Sequence, residues 1–135
     1  MKLSRPAILM LIDDSLLDLK INEKIAQHTH LFDEIIPFSS AQSAINYLKD
    51  YNNDPEKLPQ LILVDLQMPN IDGFGFIDKF TSLIPDSLRK NCLLAMLSST
   101  ENTNDIYKAQ AHPNITQFIK KPLHINTLEN LVSKI

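Results

Sequence analysis

The sequence predicts an α/β fold in which a parallel sheet is covered by helices on both faces. Three observations predict it. Five short apolar runs alternate with amphipathic stretches from one end of the 135 residues to the other. Three of those runs are continuously apolar, as strands shielded on both faces are. The stretches between them repeat apolar residues at helical spacing.

Taken in order, the first run is Ala-Ile-Leu-Met-Leu-Ile (7–12). Ser15 is a candidate N-cap for the helix that follows, in which Leu17, Ile21 and Ile25 recur at i, i+4 and i+8 and are expected to face inward. The second run, 34–38, contains Pro37, which has no N–H for a ladder, so this strand should lie at a sheet edge. Ser39 or Ser40 then caps a helix that turns Ala41, Ala44, Ile45 and Leu48 to the core. The polar segment from Asp50 to Pro59 reads as an extended surface loop. The third run, Leu-Ile-Leu-Val (61–64), precedes a stripe of Ile77, Phe80 and Ile84, and the fourth spans 92–97. From Glu101 to Ala111 the helical pattern is thin: Asn102 or Thr103 is the cap, and only Ile106, Tyr107 and Ala109 are there to bury. Gln-Phe-Ile (117–119) is the fifth run, and a last helix capped by Asn126 presents Leu128, Leu131, Val132 and Ile135.

Composition narrows the function classes. The 44% apolar and 21% charged content is that of a soluble globular chain, and the length fits one domain. Sixteen acidic and 13 basic residues give a net charge of −3, with no general pull toward nucleic acid or an anionic membrane. Cys92 is alone, which excludes an internal disulfide and a cysteine zinc cluster; it reads as a buried core thiol. The first apolar run is too short for a signal-peptide core or a membrane span, so the chain reads as cytoplasmic. The four histidines (28, 30, 112 and 124) fall at predicted helix ends and loops, which argues against a zinc site. Ordinary usage of about 7% predicts roughly nine glycines. There are two, Gly73 and Gly75, so neither GxGxxG nor GxxxxGK[ST] is available to cradle a nucleotide.

In such a sheet, ligands bind beyond the carboxyl ends of the strands. Run one ends in Asp13-Asp14-Ser15, run three in Asp65, run four in Ser98-Ser99-Thr100 and run five in Lys120-Lys121-Pro122. Taken singly, these are a helix cap, a turn residue, a loop and a surface turn. Together they bring three carboxylates, a hydroxyl and an ammonium to one edge. Converging carboxylates repel one another unless a cation sits among them, and an oxygen-only donor set suits Mg2+. Asp65 is then a candidate nucleophile for covalent phosphoryl chemistry, with a lysine to neutralise the phosphoryl group.

These residues carry a family resemblance. From Ile8 to Ile135 the chain resembles the receiver domain of two-component response regulators. The matching pieces are Leu-Ile-Asp-Asp-Ser (11–15), Leu-Val-Asp-Leu-Gln-Met-Pro-Asn-Ile-Asp-Gly-Phe (63–74), Met-Leu-Ser-Ser (96–99) and Phe-Ile-Lys-Lys-Pro-Leu (118–123). The second is the most specific. The resemblance implies a flavodoxin-like (βα)5 three-layer sandwich with strand order 2-1-3-4-5. It implies that Asp65 is the phosphoacceptor and that Asp14, Asp65 and the backbone carbonyl of Gln67 ligate Mg2+, with Asp13 acting through water. It further implies Ser98 as the hydroxyl switch, Phe118 as the aromatic switch, Lys121 as the phosphoryl-binding lysine, Pro122 as a cis-proline, and Gln67 and Thr100 as modulating positions. The departures are mild. Ser98 stands where threonine is more usual and Ser99 where alanine is common. Phe118 replaces a tyrosine and offers no phenolic hydroxyl, and His112-Pro113-Asn114 lacks the usual Gly-Ala.

Two other classes compete. A haloacid-dehalogenase-type phosphatase needs a second aspartate two residues after the nucleophile, where this chain has Gln67. A flavodoxin-like electron carrier cradles phosphate in its first loop, where this chain has two carboxylates, and it has no tryptophan to stack on a flavin. The expectation is therefore a signalling module rather than an enzyme with an external substrate. It would catalyse only its own phosphotransfer and slow dephosphorylation. The expected donor is a histidine kinase or histidine phosphotransfer protein. The output would be a change in the face made by helix four, strand five and helix five, read by a protein target, with a phosphorylation-dependent homodimer left open. A single receiver domain over 1–135, with its core in 7–135 and no output domain, is the expected organisation.

Overall fold

The computed structural model describes residues 7–135. Five strands, β1 (Ile8–Ile12), β2 (Glu34–Phe38), β3 (Leu61–Asp65), β4 (Leu93–Ser98) and β5 (Gln117–Lys120), pair in parallel in the order β2-β1-β3-β4-β5. The order is the one the resemblance implies. Pro37 lies on edge strand β2 opposite Leu11, where a missing donor is tolerated. The described residues form six helices: α1 (Leu16–Thr29), α2 (Ala41–Asp50), α3 (Gly73–Leu83), α4 (Asp86–Arg89), α5 (Thr103–Ala111) and α6 (Ile125–Val132). The one-turn α4 was not expected from the sequence. The predicted helix four and helix five are therefore α5 and α6.

The side-chain alternation of the strands divides the core in two. Met10, Ile12, Ile62, Val64, Leu94 and Met96 face α2, α3 and Ala109 of α5. Leu9, Leu11, Leu61, Leu63, Ala95, Leu97 and Ile119 face α1 and α6. Phe76 and Leu48 are fully buried in the first layer, Leu128 and Leu131 in the second. The central strands β1 and β3 are buried along their whole length, which is why their sequences are apolar without alternation.

Four expectations about faces and caps need correction. The predicted inward stripe of α1 points the other way: Leu17 is 70% exposed and Ile21 44%, and Ile25 is half-buried. The helix buries Leu19, Asn22 and Ala26 instead. At 100° per residue those three share one side, with Leu17 roughly opposite. The face seated on the sheet is the one with the smaller side chains, Asn22 among them, rather than the more apolar one. Tyr107 is exposed, leaving Ala109 as the buried contact of α5. Ile135 is likewise partly exposed, past the end of α6. The α6 cap is His124 rather than Asn126, without a side-chain capping bond. Ser15, Ser40 and Asn102 do cap α1, α2 and α5, each accepting from a backbone N–H three residues on. Cys92 is half-buried beside the first layer.

Candidate functional site

The carboxyl ends of β1, β3, β4 and β5 meet at one edge of the sheet. Register places Asp65 opposite Leu97, and Ser98 opposite Lys120, so the last residues of three adjacent strands are neighbours. Asp13 follows β1 and is buried; its Oδ1 accepts from Ser15 N at 2.9 Å, and its backbone N–H donates to Phe38 O at 3.0 Å. Asp14, the next residue, is exposed. Asp65 is buried at the tip of β3. One carboxylate oxygen from each of Asp13, Asp14 and Asp65 lies within 4.8 Å of the others.

Of the paired lysines after β5, Lys120 goes to the surface, where it meets Glu101 at 2.9 Å. Lys121 goes inward. Its Nζ donates to Asp13 Oδ2 and to Asp18 Oδ2, both at 2.9 Å, and stands 3.3 Å from Asp65 Oδ1. Its backbone N–H donates to Ser98 O at 2.9 Å, and the Lys121–Pro122 peptide is cis. Ser98 is fully buried, with Oγ accepting from Thr100 N at 3.0 Å; Thr100, also buried, accepts from Asn102 N at 3.1 Å. Gln67 is exposed in the loop after β3. Phe118, on β5 opposite Met96, is half-buried against the α2–α3 side of the core. Every residue expected at the site thus lies at this edge or on the strand leading to it.

Charge is unbalanced there. Burial pushes the Asp65 carboxyl up to about 6; the Asp13 charge adds to this, Lys121 opposes it, and Asp14 adds a smaller rise. Burial alone would lower the Lys121 ammonium, but its bonds to Asp13 and Asp18 and the charges of Asp65 and Asp13 raise it. Four carboxylates stand at this edge with one inward-facing ammonium, which pairs with three of them, Asp13, Asp18 and Asp65. A hard divalent cation fits this excess and this all-oxygen donor set, and Asp13, Asp14 and Asp65 are the residues that would hold it.

The two glycines lie just beyond. Gly73 N donates to Leu66 O at 2.8 Å, and an added Cβ at Gly73 would sit 2.8 Å from Asp65 O and 3.0 Å from Leu66 Cα. Backbone cannot yield as a side-chain tip can. Gly73→Ala is therefore expected to cost about 1–3 kcal/mol of stability and to displace the end of β3. A denaturant midpoint equal to wild type would contradict this close-packing role.

Asp18 is the functional-site residue that sequence reasoning missed. Its signal was present as Ser15-Leu16-Leu17-Asp18, the spacing of a helix capping box. Nothing local showed that the carboxylate would leave the cap for a lysine more than 100 residues away.

The family model described as "Response regulator receiver domain" matches residues 9–133. A solved response regulator receiver protein from Dyadobacter fermentans is 36% identical, with a TM-score of 0.82 over 95% of this chain and 96% of that one. A two-component response regulator from Cytophaga hutchinsonii is 31% identical, with a TM-score of 0.85 and 96% of both chains covered. Among curated proteins, the probable methanogenesis regulatory protein FilR2 of Methanothrix harundinacea is 22% identical over 96% of this chain and 81% of its own length. The chain belongs to the response regulator receiver domain family of two-component signalling. That family is a signalling domain rather than a conventional enzyme, and its members generally bind Mg2+ at an acidic pocket and interact with histidine kinases or phosphotransfer proteins. Neither the phosphatase nor the electron-carrier alternative is favoured.

Proposed function

We propose that this chain is a phosphorylation-controlled binding module in which Asp65 accepts a phosphoryl group from a partner's phosphohistidine. The observation that supports this most is the setting of Asp65: buried, flanked by two further carboxylates, and 3.3 Å from a lysine. An Asp65 carboxylate oxygen attacks phosphorus in line; the P–O bond forms as the P–N bond breaks. The imidazole leaves with the bonding electron pair and regains a proton from solvent. Asp14, Asp65 and the Gln67 carbonyl, with Asp13 through water, are the groups that would hold Mg2+, which would supply charge neutralisation for the transfer. Lys121 pairs with one phosphoryl oxygen, and the Ser98 hydroxyl donates to another, exchanging its present contact with Thr100 N–H. Gln67, exposed after β3, and Thr100, buried beside Ser98, modulate the access of water to the phosphorylated form.

The readout follows from the same residues. Ser98 ends β4, Lys121 directly follows the adjacent β5, and Phe118 lies on β5 three residues before Lys121. Drawing Ser98 and Lys121 toward the phosphoryl group biases Phe118 inward and changes the α5–β5–α6 face for a protein target. Light scattering with and without a phosphoryl mimic tests whether that face pairs two copies. We place the chain in the cytoplasm; among the described residues no helix is long and apolar enough to cross a membrane.

Incubation with acetyl phosphate and Mg2+ is expected to add one phosphoryl group to the intact mass, and a chelator is expected to prevent it. A folded protein that gains no phosphoryl group from acetyl phosphate or from any phosphohistidine protein would contradict the reading. The exposed Leu16, Leu17 and Ile21 on α1 stand beside the site and suit an apolar partner helix. Leu17→Glu is accordingly expected to slow transfer from a cognate phosphohistidine protein about tenfold or more while leaving acetyl phosphate labelling unchanged. Equal slowing with both donors would place the defect in the site rather than in docking.

A further inference from the structure

Asp18 is the third residue of α1 after the Ser15 cap, a position from which a carboxylate commonly reaches back to the cap's own N–H. That N–H is already occupied, since Ser15 N donates to Asp13 Oδ1 at 2.9 Å. The cap is completed from one side only, by Ser15 Oγ accepting from Asp18 N at 3.2 Å. The Asp18 carboxylate turns instead to Lys121, 2.9 Å away, closer than Asp65 at 3.3 Å. An ammonium has three N–H donors, and here three carboxylates face them.

We propose that Asp18 is a positioning residue that holds Lys121 back from Asp65 and is the bond surrendered when a phosphoryl group arrives. This rests on the phosphoacceptor reading of Asp65. A saturated ammonium can meet a phosphoryl oxygen only by giving up a partner. Asp13 is 3% exposed at its side chain, so losing the lysine would strand a buried charge. Asp18 is 39% exposed, so water replaces the lysine there at little cost. Asp18 therefore competes with the phosphoryl group for Lys121 and sets how tightly the site grips it.

The test is Mg2+-dependent binding of beryllofluoride, a phosphoryl mimic, followed by calorimetry in wild type, Asp18→Asn, Lys121→Met and the double variant. Asp18→Asn is expected to bind about fivefold more tightly than wild type, the scale of a half-exposed ion pair. In the Lys121→Met background the same change is expected to make no difference. Unchanged or weaker binding in Asp18→Asn would overturn the proposal, as would an equal gain in both backgrounds, which would mean through-space charge alone. Where Lys121→Met binds too weakly to titrate, salt decides: a gain that persists at about 0.5 M KCl supports the released bond, and one that vanishes overturns it. Wild-type protein that binds no beryllofluoride would contradict the phosphoacceptor reading itself.

Discussion

Asp65→Asn is expected to abolish phosphoryl acceptance while making the metal-free protein more stable at neutral pH. The two effects have one origin. Asp65 is buried among carboxylates, and its carboxyl is pushed up to about 6 from 3.8, first by burial and then by the Asp13 charge. Ionising it in the folded state therefore costs free energy, roughly 1.4 kcal/mol for each unit of the rise. The rise is already net of the attraction to Lys121, so an amide removes the cost, for a gain of about 1–2 kcal/mol after solvent screening. It also removes the nucleophilic oxygen, so labelling by acetyl phosphate should fall to background. Chemical denaturation at pH 7.5 without metal, beside intact mass after labelling, measures both. A variant less stable than wild type would contradict the cost assigned to the buried Asp65 charge, and one still labelled would contradict its role as acceptor.

Mg2+ is expected to stabilise the protein in a pH-dependent manner. Because the Asp65 carboxyl lies higher in the folded chain than in the unfolded one, its contribution is most favourable below about pH 4. As pH rises from about 4 to about 6 the unfolded chain releases this proton first, and the metal-free stability falls. A divalent cation among the three carboxylates reverses the penalty, but only once they are ionised. At about 100 times its dissociation constant it contributes about 2.7 kcal/mol, or roughly 10 °C in Tm for a chain of this size. The Mg2+-induced rise in Tm should thus be small at pH 5, reach its plateau by about pH 7.5, and be largely lost in Asp65→Asn. A rise that is independent of pH, or that survives Asp65→Asn intact, would place the cation elsewhere.

Much of the fold was legible because it rests on short-range signals. Continuous apolar runs at 7–12 and 61–64 mark central strands, and Pro37 marks an edge, because backbone donors and burial act residue by residue. The convergence of Asp13, Asp65, Ser98 and Lys121 followed from strand ends alone, since parallel strands bring all their carboxyl ends to one edge. The inward face of α1 was not legible. Periodicity reports that α1 has an apolar stripe, but the face that packs on the sheet holds Leu19, Asn22 and Ala26, a choice only tertiary packing decides. Asn126 failed as a cap for a related reason: the backbone at His124 is already extended, and α6 starts directly after it. The bond from Asp18 to Lys121 is tertiary in the same sense. Its two ends are joined only once β5 lies beside the first loop.

The central claim is that the phosphoryl group is carried by one carboxylate, Asp65. Reductive trapping tests it most directly. The protein is labelled with acetyl phosphate and Mg2+, the acyl phosphate is reduced with borohydride, and the modified position is read by peptide mass spectrometry. A single Mg2+-dependent modification at position 65 is the predicted result. Modification at Asp13, Asp14 or any other carboxylate, or none in a folded protein, would contradict it.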